Sequence, residues 1–306
     1  MAGKTLLGKK RDLKDILFFV VMMAIPTIQF CFFYIGVNVN SVLMGFQEYD
    51  PIAGRFSYTL ANFKQFFYEF SSLPYFKTML ANSLSLALYS VGLNLILCLT
   101  FSLYIYRKQF GYQFFKVILF IPSIVSSIVM VRVFCAICDG MIPDIILKLT
   151  GTEIKGLLAN RDTQMATVIF FCLWCGFGPS MLIYVGAMSG IDDSISEAAR
   201  LDGATFLQEA WYITLPLIYP TIVVQIVAGI SGILTNQMGL YSFFGDGADV
   251  DIRTVGYWLY NSLKSANGDV SQFPYLSAVG LLCTFVTVPV TFGVRIAMNK
   301  LGPKTE

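Results

Sequence analysis

With 306 residues, 56% of them hydrophobic, 13% charged and none of them histidine, the chain carries about half the charge of a soluble domain, which has about 25%. Its mean hydropathy of +0.67 agrees, so the main solvent is a bilayer rather than water. A net charge of +2, with basic residues at segment ends and not in one stripe, excludes a nucleic-acid binder.

Six apolar segments follow one another, near residues 15–37, 78–106, 117–137, 163–188, 214–236 and 273–298. Each is long enough for a hydrocarbon core of about 30 Å, which takes about 20 helical residues. The first, after "GKTLLGKKRDLKD", is too long for a removed signal peptide and has no small-x-small cleavage site, so it is expected to stay as a span. Six spans put both termini on one side. That side holds twelve Lys and Arg against eight on the other, with Arg132 apart inside the third span. The positive-inside rule then places both termini in the cytoplasm of a cell (plasma or inner) membrane.

Between spans one and two, "LANFKQFFYEF" sets Leu60, Phe63, Phe66, Phe67 and Phe70 on one helical face, the pattern of an interfacial amphipathic helix. Pro26, Pro122, Pro179 and Pro289 fall within spans, where proline removes a backbone hydrogen bond and bends a helix. "CGFGPSM" couples Gly176 and Gly178 to Pro179. Bent helices can frame a cavity, although Gly and Pro are also simply commoner in membrane helices. The Gly/Asp-rich segment 245–263 reads as a turn leading into an aromatic helix, and its three Asp do not have EF-hand spacing. Cys135/Cys138 and Cys172/Cys175 have CxxC spacing, but all seven cysteines lie in or beside apolar runs and read as small packed hydrophobes. A four-thiolate zinc site would put about two net negative charges in hydrocarbon. No metal and no cofactor are expected.

Between the edges of these spans, where Asp15 and Arg295 lie, there is no Asp, Glu, Lys or His, and one Arg, Arg132, toward the outer end of the third. Proton-driven carriers keep carboxylates or His at the midplane. Ion channels often use charged rings or filter loops. Intramembrane proteases need a Ser with His, paired Asp, or HExxH. None of these sets is present. What remains is neutral polarity, including Asn94, Ser126, Ser127, Ser180, Gln225, Ser231, Thr235 and Asn236, with Trp174 and Tyr184. Two readings stand for them: hydrogen bonds between helices, or a path for an uncharged, hydroxyl-rich solute. On the second, Ser126, Trp174, Gln225 and Asn236 are the candidate solute path.

One polar stretch interrupts the oil, "SISEAARLDGATFLQEAWYITLPLIYP". Residues 189–213 read as two short helices at an angle. Ser194 with Glu197 has capping-box spacing, Thr205 with Gln208 repeats it, and Gly203 supplies a stop. Pro216 stands where the chain re-enters the membrane, with Pro220 one turn later. The segment then has the form of a compact knob joined to spans four and five.

The spacing of Glu197, Ala198, Ala199, Gly203, Ile213, Leu215 and Pro216, EAA-x3-G-x9-I-x-L-P, resembles the cytoplasmic signature of permease subunits of type I binding-protein-dependent ABC importers. "MGFQEYDP", "LANFKQFF", "LFIPSI" and "TVGYWLY" are similar to segments of the carbohydrate-uptake group, the maltose and glycerol-3-phosphate type, while "FFGDGADV" departs from a Gly-Gly-Pro segment frequent there. The resemblance implies an all-α integral membrane fold of six spans, with the EAA helix–turn–helix between spans four and five. It implies residues 1–77 as tail, first span and outer interfacial helix, 78–298 as the type I transmembrane core, and 299–306 as a cytoplasmic tail. It also implies a second permease (a heterodimer), a dimer of cytoplasmic ABC ATPases docked on the EAA loop, an extracytoplasmic solute-binding protein, and surrounding membrane lipid. The chain itself would be no enzyme, with ATP hydrolysis left to the partner. Alternatives are the same type of permease for another small polar solute, or a non-transporting sensor or scaffold.

Overall fold

The computed structural model describes residues 13–303, so most of the basic N-terminal tail and the last three residues lie outside the described residues. The described residues are helical nearly throughout. Four helices are long and apolar enough to cross a membrane: α1 (Ile16–Gly45), α3 (Pro74–Tyr106), α6 (Arg161–Ser189) and α12 (Phe273–Leu301). Two bent pairs bring the number to six if each pair is one span: α4 (Tyr112–Ile124) with α5 (Ser127–Thr150), bent by 102°, and α8 (Phe206–Leu217) with α9 (Tyr219–Ser231), bent by 68°. The remaining helices are α2 (Ala61–Ser72), α7 (Asp193–Leu201), α10 (Leu240–Phe244) and α11 (Val255–Ser265).

The chain divides into two units, Met1–Gln65 with Gly268–Leu281, and Phe66–Asn267 with Leu282–Glu306. In the first, α1 leads into a hairpin that hydropathy alone does not reveal: β1 (Gln47–Asp50) antiparallel to β2 (Arg55–Tyr58), with Gln47 opposite Tyr58. Its turn is built by Asp50, whose carboxylate accepts the Ile52 and Ala53 N–H groups at 2.8 and 3.1 Å, and by Gly54 at φ +62°. Asn62 is buried and donates to the Gln47 and Gly45 carbonyls at 2.6 and 3.3 Å, while the Phe63 ring meets Phe46 with centroids 5.1 Å apart. Gly45 lies so close to Ala278 that a Cβ would meet the Ala278 backbone at 3.2 Å. The face expected on α2 is only partly used, since Leu60 and Phe67 stay exposed and the buried residue is the polar Asn62. Its two backbone carbonyl partners, 15 and 17 residues away, decide that, not periodicity.

The second unit is held by two apolar clusters. One gathers Cys98, Ile105, Phe177, Met181, Tyr184, Met188, Ile218 and Ile222 from α3, α6 and the α8–α9 bend. The Ser102 hydroxyl donates to the Met181 carbonyl at 3.1 Å across the α3–α6 contact. The other gathers Met130, Val131, Phe134, Val168, Phe171, Leu240 and Tyr257. The glycines of "CGFGPSM" have different jobs. A Cβ on Gly178 would meet the Leu119 carbonyl and the Phe120 Cα at 2.9 Å, so its lack of a side chain lets α4 lie against α6, whereas Gly176 faces open space. Helix α6 continues through Pro179. The sharp bend in the third apolar segment falls at Val125 and Ser126, both with extended ψ, three residues past Pro122. Helix α5 then runs on to Thr150, past the end expected near 137, through a π-type turn at Ala136–Met141.

The Gly/Asp-rich loop before α11 is pinned rather than loose. The Tyr257 hydroxyl donates to the Gly245 carbonyl at 2.7 Å, Arg253 Nε donates to the Ala248 carbonyl at 2.8 Å, and Asn82 of α3 donates to the Asp251 and Arg253 carbonyls at 2.7 and 3.0 Å. Thr254 caps α11, accepting the Tyr257 N–H at 3.1 Å. All seven cysteines are free thiols, and among the described residues no group of three or more His, Cys, Asp or Glu side chains could hold a metal ion.

Candidate functional site

The polar stretch folds as the knob its spacing predicts, with one change of cap. Helix α7 begins at Asp193, so the N-cap is Asp192, whose carboxylate accepts the Ser194 N–H at 2.9 Å. This hydrogen bond holds the Asp192 carboxyl below the usual carboxylate range. Ser194 already lies inside the helix, and the expected Ser194–Glu197 capping box is replaced because the acidic side chain two residues earlier reaches the free N–H groups first. Glu197 and Ala198 face outward, and Ala199 is buried.

The end of α7 is fixed by a complete Schellman motif. The Ala204 N–H bonds the Ala199 carbonyl at 2.9 Å, the Gly203 N–H bonds the Arg200 carbonyl at 3.1 Å, and Gly203 sits at φ +81°, where a residue with a Cβ is strained. Helix α8 opens with the expected capping box, the Thr205 N–H donating to Gln208 Oε1 at 2.8 Å. A π-type turn at Ala210–Thr214 follows, and the 68° bend falls after Leu217, between Pro216 and Pro220. Ile213, Leu215 and Pro216 are half-buried at this root. Leu201 at 89% exposure and Leu207 at 75% stand out from the knob, with Trp211 and Tyr212 also exposed.

Beneath the knob lies a charged group that sequence reasoning passes over. Glu209 is buried at 2% exposure and is ion-paired to Arg107, with Arg200 Nε 3.7 Å from the same carboxylate oxygen. Burial pushes the Glu209 carboxyl up, but hydrogen bonds from Arg107 and Ser196 and the charges of Arg107 and Arg200 outweigh it and hold it below its ordinary value. The signal for it was a lone carboxylate just before an apolar run, with Arg107 closing the second one.

The second element is a cleft of about 510 Å³ walled by α3, α6, α9 and the turn after α9. Its polar lining is Asn94, Ser180, Tyr184, Gln225 and Asn236, beside Val91, Leu95, Phe171, Ile226 and the thiols Cys172 and Cys175, and no lining residue is Asp, Glu, Lys, Arg or His. Gly229 lets α9 approach α3, since a Cβ there would meet Val91 Cγ2 at 2.6 Å. Of the four candidate path residues, Gln225 and Asn236 meet in this cleft, and Asn94 and Ser180 join them. Ser126 and Trp174 are not brought there. Ser126 is exposed at the α4–α5 bend, and Trp174 lines a separate apolar cleft with Phe134 and Phe170. Asn236 also shapes the backbone, its side-chain oxygen accepting the Met238 N–H at 2.8 Å where Met238 and Gly239 both have positive φ. Arg132 is exposed and lines neither cleft.

Residues 96–306 match the family model described as the binding-protein-dependent transport system inner membrane component. The chain belongs to that family. It is similar to Protein LplB of Bacillus subtilis (strain 168), 26% identical over 289 residues that cover 91% of this chain and 88% of that one. The polygalacturonan/rhamnogalacturonan transport system permease protein YteP of the same organism is also 26% identical, over 93% of this chain and 88% of YteP. In fold the chain resembles one from the crystal structure of a bacterial ABC transporter involved in the import of the acidic polysaccharide alginate, at a TM-score of 0.76 and 18% identity, covering 94% of this chain and 98% of that chain. The chain is thus a membrane permease component, helical as expected.

Proposed function

We propose that this chain is one of two permease subunits that together form the translocation path of an ATP-driven, binding-protein-dependent importer for a sugar or oligosaccharide. The observation that carries the proposal is the pairing, in one permease-family chain, of an uncharged polar cleft with a stiff knob bearing exposed leucines. A path without a proton-carrying group has no coupling ion of its own, so the driving force comes from elsewhere. The knob is the place for it to enter, with both termini and the knob on the cytoplasmic side.

In this reading a cytoplasmic ABC ATPase receives α7 in a cleft. Glu197 makes polar contacts there, Ala198 and Ala199 allow close approach, Gly203 fixes the turn, and Ile213, Leu215 and Pro216 carry movement into α9. Burying Leu201 and Leu207 would contribute about 1.5–3 kcal/mol each to docking. ATP-driven closure of two ATPase copies then swings α6 and α9 and re-exposes the cleft, while an extracytoplasmic binding protein delivers the solute. Neutral amide and hydroxyl groups at Asn94, Ser180 and Gln225 suit sugar hydroxyls, and an acidic saccharide would need its cation from the second permease. Relatives such as YteP, a polygalacturonan/rhamnogalacturonan transport system permease protein, support a saccharide.

The test is reconstitution of this chain with the second permease, ATPase and binding protein in proteoliposomes, supplied with neutral oligosaccharides and, separately, oligogalacturonate. ATP-dependent uptake that needs the binding protein is expected. Accumulation against a gradient without the ATPase would end the proposal.

A further inference from the structure

Helices α6 and α9 are tied to the knob by the chain itself, but α3 and α4 are not. Beside the apolar cluster that joins Ile105 to Ile218 at the knob's root, their link to it is the buried pair Arg107–Glu209. Arg107 caps the C-terminus of α3 (Pro74–Tyr106) and begins the short turn into α4, and its side chain is only 11% exposed. Besides the ion pair to Glu209, its guanidinium carbon lies 5.4 Å from the centroid of the Phe206 ring, so it grips both the first residue and the first turn of α8. The turn that presents it is stiff. Lys108 and Gly111 have φ +50° and +73°, the Lys108 N–H bonds the Ile105 carbonyl at 2.9 Å, and the Tyr104 hydroxyl donates to the Phe110 carbonyl.

A buried ion pair is weak evidence for stability, because the cost of desolvating both charges offsets much of their attraction, and apolar replacements are often neutral. What such a pair supplies, through a bidentate-capable guanidinium on a carboxylate, is a fixed register between two elements. The lever arm is defined. From Arg107 back to Asn94 in the cleft is a continuous stretch of α3, about 20 Å at 1.5 Å per residue.

Resting on the reading above, we propose that Arg107 and Glu209 are positioning residues that lock the knob to the α3–α4 turn, so that both move as one body and the stroke reaches Asn94 as well as Gln225. The experiment uses the whole complex with its ATPase, carrying bio-orthogonal spin labels at exposed Phe110 and Asp202, and reads their distance without nucleotide and after vanadate trapping. With Arg107 and Glu209 intact, the distance should shift by less than about 2 Å, the scale of small interface adjustments. In the double variant Arg107→Gln/Glu209→Gln, which leaves no buried charge unpaired between these two positions, the distribution should broaden and shift between states while ATPase subunits still co-purify and hydrolyse ATP. A shift of about one helical turn, 5.4 Å, with the pair intact would overturn the lock. So would a double variant that moves as tightly as the parent. If instead no ATPase accompanies the unaltered chain, the importer reading fails and the lock falls with it.

Discussion

The knob and the cleft belong to the same compact unit but solve opposite problems. The knob, residues 190–217, keeps its shape through backbone chemistry that is nearly independent of its neighbours: an Asp192 cap, a Schellman turn at Gly203 and the Thr205–Gln208 box. The cleft has no such local program. It exists because α9 can approach α3 at Gly229, and because of the turn around Asn236. In the proposed cycle, the part that transmits force is the one specified locally, and the part that changes shape is the one specified by contacts.

The sharpest way to break that contrast is at Gly203. Gly203→Val places a β-branched side chain at φ +81°, a penalty on the order of 1–3 kcal/mol. Co-purification of the ATPase should fall about tenfold or more, with the membrane portion still folded, and Gly203→Ala should fall between. Undiminished association would show that the turn does not set the docking surface. Next in size is Gly178→Leu, which forces a side chain against the Leu119 and Phe120 backbone and should destabilise the unit by about 1–3 kcal/mol, read as a lower melting temperature in detergent. In the cleft, Gln225→Ala should raise the KM for uptake about fivefold, the worth of one hydrogen bond, while leaving ATPase association unchanged. Trp174→Ala, outside the cleft, should leave KM where it was. An equal effect of both would merge the two clefts.

The smallest effects separate the two caps. Asp192→Ala should loosen the start of the knob and Ser194→Ala hardly at all, by hydrogen exchange of the α7 amides. Glu209 adds a pH dependence. Its folded value lies below the ordinary glutamate value of about 4.3, so its charge stabilises the fold fully above that value. The contribution is lost as pH falls through the folded value. The thermal advantage of the parent over Glu209→Gln should therefore shrink on acidification from pH 5 downward, and an advantage that grew there would reverse the sign.

Apolar length made the span-forming segments readable, since a run of about 20 hydrophobic residues has few other uses. The knob was readable because caps and glycine stops act within four residues of sequence. What escaped depends on distance. The β1–β2 hairpin is short and polar, and its turn lies in the chemistry of Asp50 and Gly54. Asn62 is buried by carbonyls 15 and 17 residues away. Arg107 and Glu209, more than a hundred residues apart, look like ordinary loop charges until the fold joins them. Trp174 and Cys175 are neighbours in sequence, yet they line different clefts because a helix turns about 100° between them.

The lack of Asp, Glu, Lys, Arg and His side chains around the cleft has an electrical consequence. Each elementary charge carried across a membrane gains or loses about 2.3 kcal/mol per 100 mV. Walls built of amides, hydroxyls, neutral thiols and hydrocarbon carry no such charge when they rock. For a neutral cargo the cycle should draw the same work from nucleotide in a polarised vesicle as in a depolarised one, which leaves the supply of carbon independent of the cell's voltage.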